Sequence, residues 1–318
     1  MSNIKFYESG DFTVDKIREL KGNKKIYVIF STYGERESDR IYNKITTLKK
    51  MPGALINRIF LAHRRQELNI EESTEIRARE AFDKTDILVC NTVSVPDMGQ
   101  ECGKGADMRR AVYTINKNYT DSVSPEDIIL VFLDADVVTE YFGGHFVLGL
   151  AGGVLKGADF AKASFWREMG RVKKFVAQPI FSLIDHPKLK KLTELAYPLS
   201  GEVAGTLEFF NSVNFWQMYG VETGINMDAC FGDYRIADVN LGLYDHGHHP
   251  DINIQRMSFG IMRTFFLKLI EFGIIELKDN SEIGDIFRAS FIDDLGSRQF
   301  MEFDLTEKKY QPIKNILP

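Results

Sequence analysis

Apolar and polar positions along the chain fall into blocks that change period. Residues 25–31 form a short, β-rich apolar run after a Lys/Gly/Asn cluster, the pattern of a strand buried on both faces. Similar runs recur at residues 56–62, 86–90 and 128–133. Helical spacing occupies residues 38–50, between the first and second runs, and 104–116, between the third and fourth. Strands that alternate with helices predict an α/β fold, a mostly parallel sheet with helices on both faces. In such sheets ligands gather outside the carboxyl ends of the strands, so polar residues just after each run are the first site candidates.

Beyond residue 156 the alternation loosens. An extended stretch over 158–166 is followed by helical stretches around 175–184 and 188–197 and a further strand over 236–243. Residues 253–275 predict one long helix, because Ile254, Met257, Ile261, Phe265, Leu269 and Phe272 recur at steps of three and four and line one buried stripe. The tail, residues 281–318, is amphipathic without a clear period. No internal repeat, low-complexity run or Pro/Gly/Ser-rich linker interrupts the chain, which predicts a single compact body over residues 1–250 and a helical C-terminal extension over 251–318.

Composition removes several classes. Hydrophobic residues at 44% and charged residues at 27% exclude a disordered or fibrous chain. Forty Lys plus Arg against forty-five Asp plus Glu leave a net charge of -5, no field to hold a polyanion, so nucleic acid is not expected as a partner. Three dispersed cysteines, Cys90, Cys102 and Cys230, fit reduced thiols and a cytoplasmic location. The N-terminus lacks the apolar core of a signal peptide. The most apolar stretch, residues 142–155, contains His145 and is shorter than the roughly 20 residues that cross a bilayer, so no membrane partner is expected.

The strongest chemical signal is Asp134-Ala135-Asp136 at the end of the apolar run 128–133. Carboxylates one residue apart at a strand exit can approach one divalent cation, and hard oxygen ligands suit Mg²⁺ or Mn²⁺. D-x-D motifs of this kind occur in haloacid-dehalogenase-like phosphatases, where the motif follows the first strand, and in GT-A glycosyltransferases, where it follows a nucleotide-binding half. About 130 residues precede it here, the second order. Asp245-His246-Gly247-His248-His249-Pro250 follows a candidate strand, and neutral imidazoles can complete a metal shell begun by carboxylates. Gly103-Lys104-Gly105 opens a helix, where glycines permit close approach and the helix N-terminus favours an anion or a polar base edge. It is not a P-loop, since the spacer and the Ser/Thr are missing. Finally, Arg167, Arg171, Lys173 and Lys174 cluster beside Gly170 and could hold a phosphate.

Taken in order, Gly103-Lys104-Gly105, Asp134-Ala135-Asp136, Gly170-Arg171-Val172, Tyr197-Pro198-Leu199-Ser200-Gly201-Glu202, Tyr219-Gly220-Val221-Glu222-Thr223-Gly224, and Val239-Asn240-Leu241-Gly242 with His246 resemble the glucosyl-3-phosphoglycerate synthases. These are retaining glycosyltransferases of the GT-A, Rossmann-like fold, and the resemblance runs from about residue 100 to 250. It implies a nucleotide-sugar half over about 20–136 and an acceptor half over about 137–250. It further implies that Lys104, beside Gly105, faces the nucleotide base, Asp134 the ribose or sugar, and Asp136 with His246 the cation on the diphosphate. Arg171, with Gly170, Val172 and Lys173, would hold the acceptor's phosphate. Leu199, Ser200, Gly201 and Glu202 with Glu222 would line the sugar and acceptor pockets, and a homodimer is implied.

After the first strand, relatives carry a Pro-x-x-Asn-Glu-Glu-like turn, whereas this chain has Ser31-Thr32-Tyr33-Gly34-Glu35-Arg36. Ser31, Tyr33 and Glu35 are donor-pocket candidates by position alone. UDP-glucose is the first expected donor and GDP-mannose the second, with Glu35 or Asp97 as the acidic partner a guanine amine would need. The acceptor is expected to be 3-phosphoglycerate or a close analogue. The rival readings are the phosphatase and a non-catalytic nucleotide-sugar sensor.

Overall fold

The computed structural model describes residues 4–120, 122–167, 170–245 and 251–317. In chain order its first strands are β1 (Ile4–Glu8), β2 (Lys25–Tyr33), β3 (Arg58–Arg64), β4 (Thr85–Val89), β5 (Ile128–Asp134), β6 (Phe160–Trp166), β7 (Val203–Thr206), β8 (Phe215–Trp216) and β9 (Ile236–Leu243). All except the two-residue β8 join one eight-stranded sheet, in the order β1-β9-β6-β7-β5-β2-β3-β4. Neighbours run parallel except around β7, which is antiparallel to both β5 and β6. The helices are α1 (Val14–Lys21), α2 (Ser38–Lys49), α3 (Ser73–Ala81), α4 (Lys104–Asn118), α5 (Gly144–Leu155), α6 (Gln178–Phe181), α7 (Pro187–Glu194), α8 (Leu207–Ser212), α9 (Val221–Phe231) and α10 (Asp251–Glu271).

The apolar runs are continuous because both sheet faces are covered. On one face Ile26, Val28 and Phe30 of β2 pack with Ile129, Val131 and Leu133 of β5. On the other, Tyr27 and Ile29 pack with Leu130 and Phe132. The predicted α/β class and the long helix are therefore present. Sequence periodicity does not reveal β7, whose four residues are too few to show a period.

The C-terminal extension is helical only in its first part. After α10, β10 (Ile286–Ile292) and β11 (Arg298–Asp304) form an antiparallel hairpin, and β12 (Lys309–Tyr310) pairs with β8 of the body. Most hairpin residues are exposed, so neither alternating set of side chains had to be apolar and no period marked the strands. Among the described residues no helix is long and apolar enough to cross a membrane.

A buried ion pair fastens α10 to the body: Lys268 is wholly buried and lies 2.5 Å from Asp228 of α9. Removing one member of such a pair leaves a buried charge uncompensated. Lys268→Met is expected to lower stability by about 3–5 kcal/mol, measured by urea denaturation, and adding Asp228→Asn should restore part of the loss.

Candidate active site

The carboxyl ends of β2 and β5 lie side by side, with Ser31 and Asp134 as register partners. Above them opens a cleft of about 810 Å³ lined by Ser31, Tyr33, Lys104, Asp134, Asp136, Leu199 and Glu222 among others. Lys104 is the first residue of α4. Its ammonium sits 2.6 Å from Asp134 Oδ1 and 3.0 Å from Glu222 Oε1. Burial alone would lower the pKa of this ammonium, but Asp134, Glu222 and Glu202 together hold it above the ordinary lysine value.

Two glycines set this geometry. A side chain at Gly105 would collide with the carbonyl of Trp216, and one at Gly201 would collide with Lys104 Nζ and the Asp134 carboxylate. The loop before α9 therefore packs directly on the first turn of α4, where Ala106 N–H donates to Gln217 O at 3.1 Å. The 199–202 segment likewise presses its backbone against the Lys104–Asp134 pair.

Beneath the cleft floor lies a second charged layer. Glu202 is wholly buried and accepts from Ser200 Oγ and from Tyr244 O–H, each at 2.8 Å. Burial first, then the Asp134 charge, push its carboxyl up to about 7. Lys162 donates to Ser200 O at 2.6 Å, and burial brings it down to about 8. Lys44 of α2, also fully buried, donates to the carbonyls of Asp134 and Ala135, and burial lowers it to about 8. The D-x-D turn is thus held from below by a lysine that periodicity alone would place in the core, between Ile41, Ile45 and Leu48.

For a divalent cation the informative residue is Glu37, which also lines the cleft. One of its carboxylate oxygens is buried without a hydrogen-bond partner among the described residues. Burial raises its pKa, partly offset by the Tyr33 backbone, with the Asp136 charge adding to the rise. An orphaned carboxylate oxygen that senses Asp136 fits a hard cation. Among the described residues no three His, Cys, Asp or Glu side chains converge on a metal position. His246, the expected second ligand, lies outside the described residues.

The other candidates fall elsewhere. Arg171 pairs with Asp251 at the start of α10 at 2.5 Å, and Lys173 Nζ stands 4.7 Å from the centre of the Tyr197 ring. Neither they nor Gly170 and Val172 line this cleft; Gly170 packs toward the Tyr197 hydroxyl, joining this basic segment to the 197–202 strand entry. Glu35 is not in the cleft either, because its carboxylate accepts from the N–H of Ser73, the first residue of α3. Asp97, the alternative guanine partner, is engaged bidentately by Arg109 at 2.6 and 2.8 Å.

Sequence reasoning missed Arg64 and Asp107, which line the cleft as a pair at 2.6 and 3.1 Å. It also missed Asn253, Met257 and Ile261 of α10, which bring the C-terminal helix to the cleft wall. The apolar stripe read on that helix gave Met257 and Ile261 a core role, and only the docked helix shows that they also face the cavity.

No family model matches the chain. It is 28% identical over 288 residues to the glucosyl-3-phosphoglycerate synthase of Petrotoga mobilis, spanning 85% of this chain and 80% of that one. In structure it matches the mannosyl-3-phosphoglycerate synthase from Rubrobacter xylanophilus with a TM-score of 0.81 at 23% identity, covering 99% of this chain and 96% of that one. It also matches glucosyl-3-phosphoglycerate synthase from Mycobacterium tuberculosis in complex with Mn²⁺, UDP and phosphoglyceric acid, with a TM-score of 0.76 at 22% identity and 99% coverage of both chains. The fold is that of the GT-A-type glycosyltransferases. Within that class the chain resembles the glucosyl-3-phosphoglycerate synthases, and the phosphatase reading falls.

The buried carboxyl makes a thermodynamic prediction. Glu202 has a folded-state pKa near 7 against an ordinary value of 4.5, so between these values the folded chain binds more protons than the unfolded one and stability falls as pH rises. Glu202→Gln should remove that component, and melting temperatures across this window, compared with those of the parent, measure the lost slope.

Proposed function

We propose that the protein transfers a hexose from a nucleoside-diphosphate sugar to 3-phosphoglycerate or a close analogue, with a divalent cation and with retention of anomeric configuration. The observation that carries this reading is the meeting of Lys104, Asp134, Asp136 and Glu222 in one cleft at the carboxyl end of β5. UDP-glucose is the first donor, supported by the similarity to glucosyl enzymes. GDP-mannose is the second, supported by the likeness to a mannosyl enzyme. Residues 20–136 serve as the nucleotide-sugar half, 137–250 as the acceptor half, and 251–318 as an extension. A cytoplasmic homodimer that makes a compatible solute or a polysaccharide primer completes the reading.

Lys104 meets the base, and its two carboxylate neighbours keep it charged and fixed. Asp134 accepts from ribose or sugar hydroxyls. Asp136 and His246 would hold Mg²⁺ or Mn²⁺, with Glu37 as a further oxygen donor. Such a cation, when bound, neutralises the charge that develops on the diphosphate leaving group. Arg171, assisted by Lys173 and the backbone of Gly170 and Val172, exchanges Asp251 for the acceptor's phosphate. Leu199 shapes the sugar and acceptor pockets, with Ser200, Gly201 and Glu202 supporting it from beneath the floor, and Glu222 places hydroxyl groups without forming a covalent intermediate. The acceptor hydroxyl attacks from the face the diphosphate leaves, and its proton passes to the departing phosphate oxygen.

The test is incubation with UDP-glucose or GDP-mannose, 3-phosphoglycerate and Mg²⁺, followed by assay of released nucleoside diphosphate; no release from either donor overturns the reading. Asp136→Ala should abolish transfer while leaving the metal-free melting temperature nearly unchanged, since strand-end acids facing a cleft contribute little to stability. Turnover at the parental rate would remove Asp136 from the cation site. A lost charge-assisted hydrogen bond costs about 1.5–3 kcal/mol. Arg171→Ala should therefore raise the acceptor KM roughly tenfold to hundredfold, with little change in the donor KM.

A further inference from the structure

Glu307 lies in the tail between β11 and β12, far from the cleft in sequence, yet it is only 6% exposed. Both of its carboxylate oxygens accept backbone N–H groups from a single loop. Tyr219 donates to Oε1 at 2.9 Å, while Gly220 and Met218 donate to Oε2 at 3.0 and 3.3 Å. These donors lie just ahead of α9, where N–H groups lack helical partners and the helix end attracts an anion. The same loop supplies Met218 and Tyr219 to the cleft wall and leads directly into Glu222. A side chain at Gly220 would strike Thr264 of α10, so carboxylate, loop and helix are packed without slack.

The contact continues on either side. Gln217 N–H donates to Lys308 O at 3.0 Å, and Lys308 N–H returns to Gln217 Oε1 at 3.2 Å. Lys308 Nζ reaches Glu101 Oε1 at 2.8 Å and Asp97 O at 2.9 Å. On its inner side Gln217 O accepts from Ala106 N–H of α4, two residues from Lys104. One short stretch of tail therefore ties together the two helix starts that bear Lys104 and Glu222.

We propose that Glu307 is a positioning residue of the donor cleft: by gathering the N–H groups of residues 218–220 it sets Tyr219 and Glu222 against Lys104, so that a nucleoside diphosphate binds tightly only with the tail docked. This rests on the functional reading given above. Glu307 touches no substrate, and its effect reaches the ligand through the loop.

The experiment is calorimetric titration of UDP, and in parallel GDP, with Mg²⁺ into the full-length protein and its Glu307→Ala and Glu307→Gln variants, alongside KM values for donor and acceptor. Losing the hydrogen bonds to a charged carboxylate that hold the loop in place should make the alanine variant bind the preferred nucleotide roughly tenfold to hundredfold more weakly. Glutamine, which keeps the shape and one acceptor oxygen, should fall between it and the parent. The donor KM should rise in proportion while the acceptor KM stays within about twofold. Should the alanine variant not fold, the near-isosteric glutamine variant carries the test. Parental binding of a nucleotide with unchanged affinity in the folded variants overturns the inference, as does equal damage to both KM values. Absence of binding of either nucleotide by the parent overturns the functional reading itself and this inference with it.

Discussion

Lys104 and its two carboxylates join three parts of the chain that approach one another only in the folded state: the first turn of α4, the end of β5 and the first turn of α9. Taking an ammonium out of water is unfavourable unless opposite charges meet it in good geometry. Here the geometry is enforced by backbone packing, because Gly105 and Gly201 admit no side chain between the interacting elements. Polar groups fixed in this way can meet developing charge without reorganising at the moment of reaction. The rest of the cleft is arranged around that constraint.

Charge is layered from the cleft downwards. Asp134, Asp136, Glu37 and Glu222 face the cavity, while Lys44 and Lys162 lie beneath them with no exposure worth naming. Each buried lysine donates to backbone carbonyls of the turn it supports. The lysines thus act as struts as well as counter-charges. This is how an acidic pocket persists: mutual repulsion of its carboxylates is offset from below, and their upper faces are left open to the cleft.

The C-terminal part belongs to the same unit. α10 contributes cavity wall through Asn253, Met257 and Ile261 and is clamped by Lys268 to Asp228 of α9. β12 pairs with β8, and Glu307 holds the loop that follows β8. The boundary drawn near residue 250 from periodicity marks a change of pattern, and the contacts of the tail cross it.

What the sequence determined by itself was local. An apolar run ending in Asp134-Ala135-Asp136 specifies a buried strand with two acids at its exit, and the steps of three and four from Ile254 to Phe272 specify a helix with a buried stripe, because both patterns repeat within a few residues. The motifs from Gly103 to Gly242 were legible for the same reason. Whatever depends on partners distant in sequence was decided by the tertiary structure. No local pattern tells that Glu35 turns to Ser73, that Arg171 meets Asp251, that four residues after Glu202 insert antiparallel between β5 and β6, or that Glu307 reaches Gly220. A lone glutamate in an exposed-looking tail has the composition of a solvated residue; only the docked backbone, with unpartnered N–H groups waiting at a helix start, gives its charge a place to go.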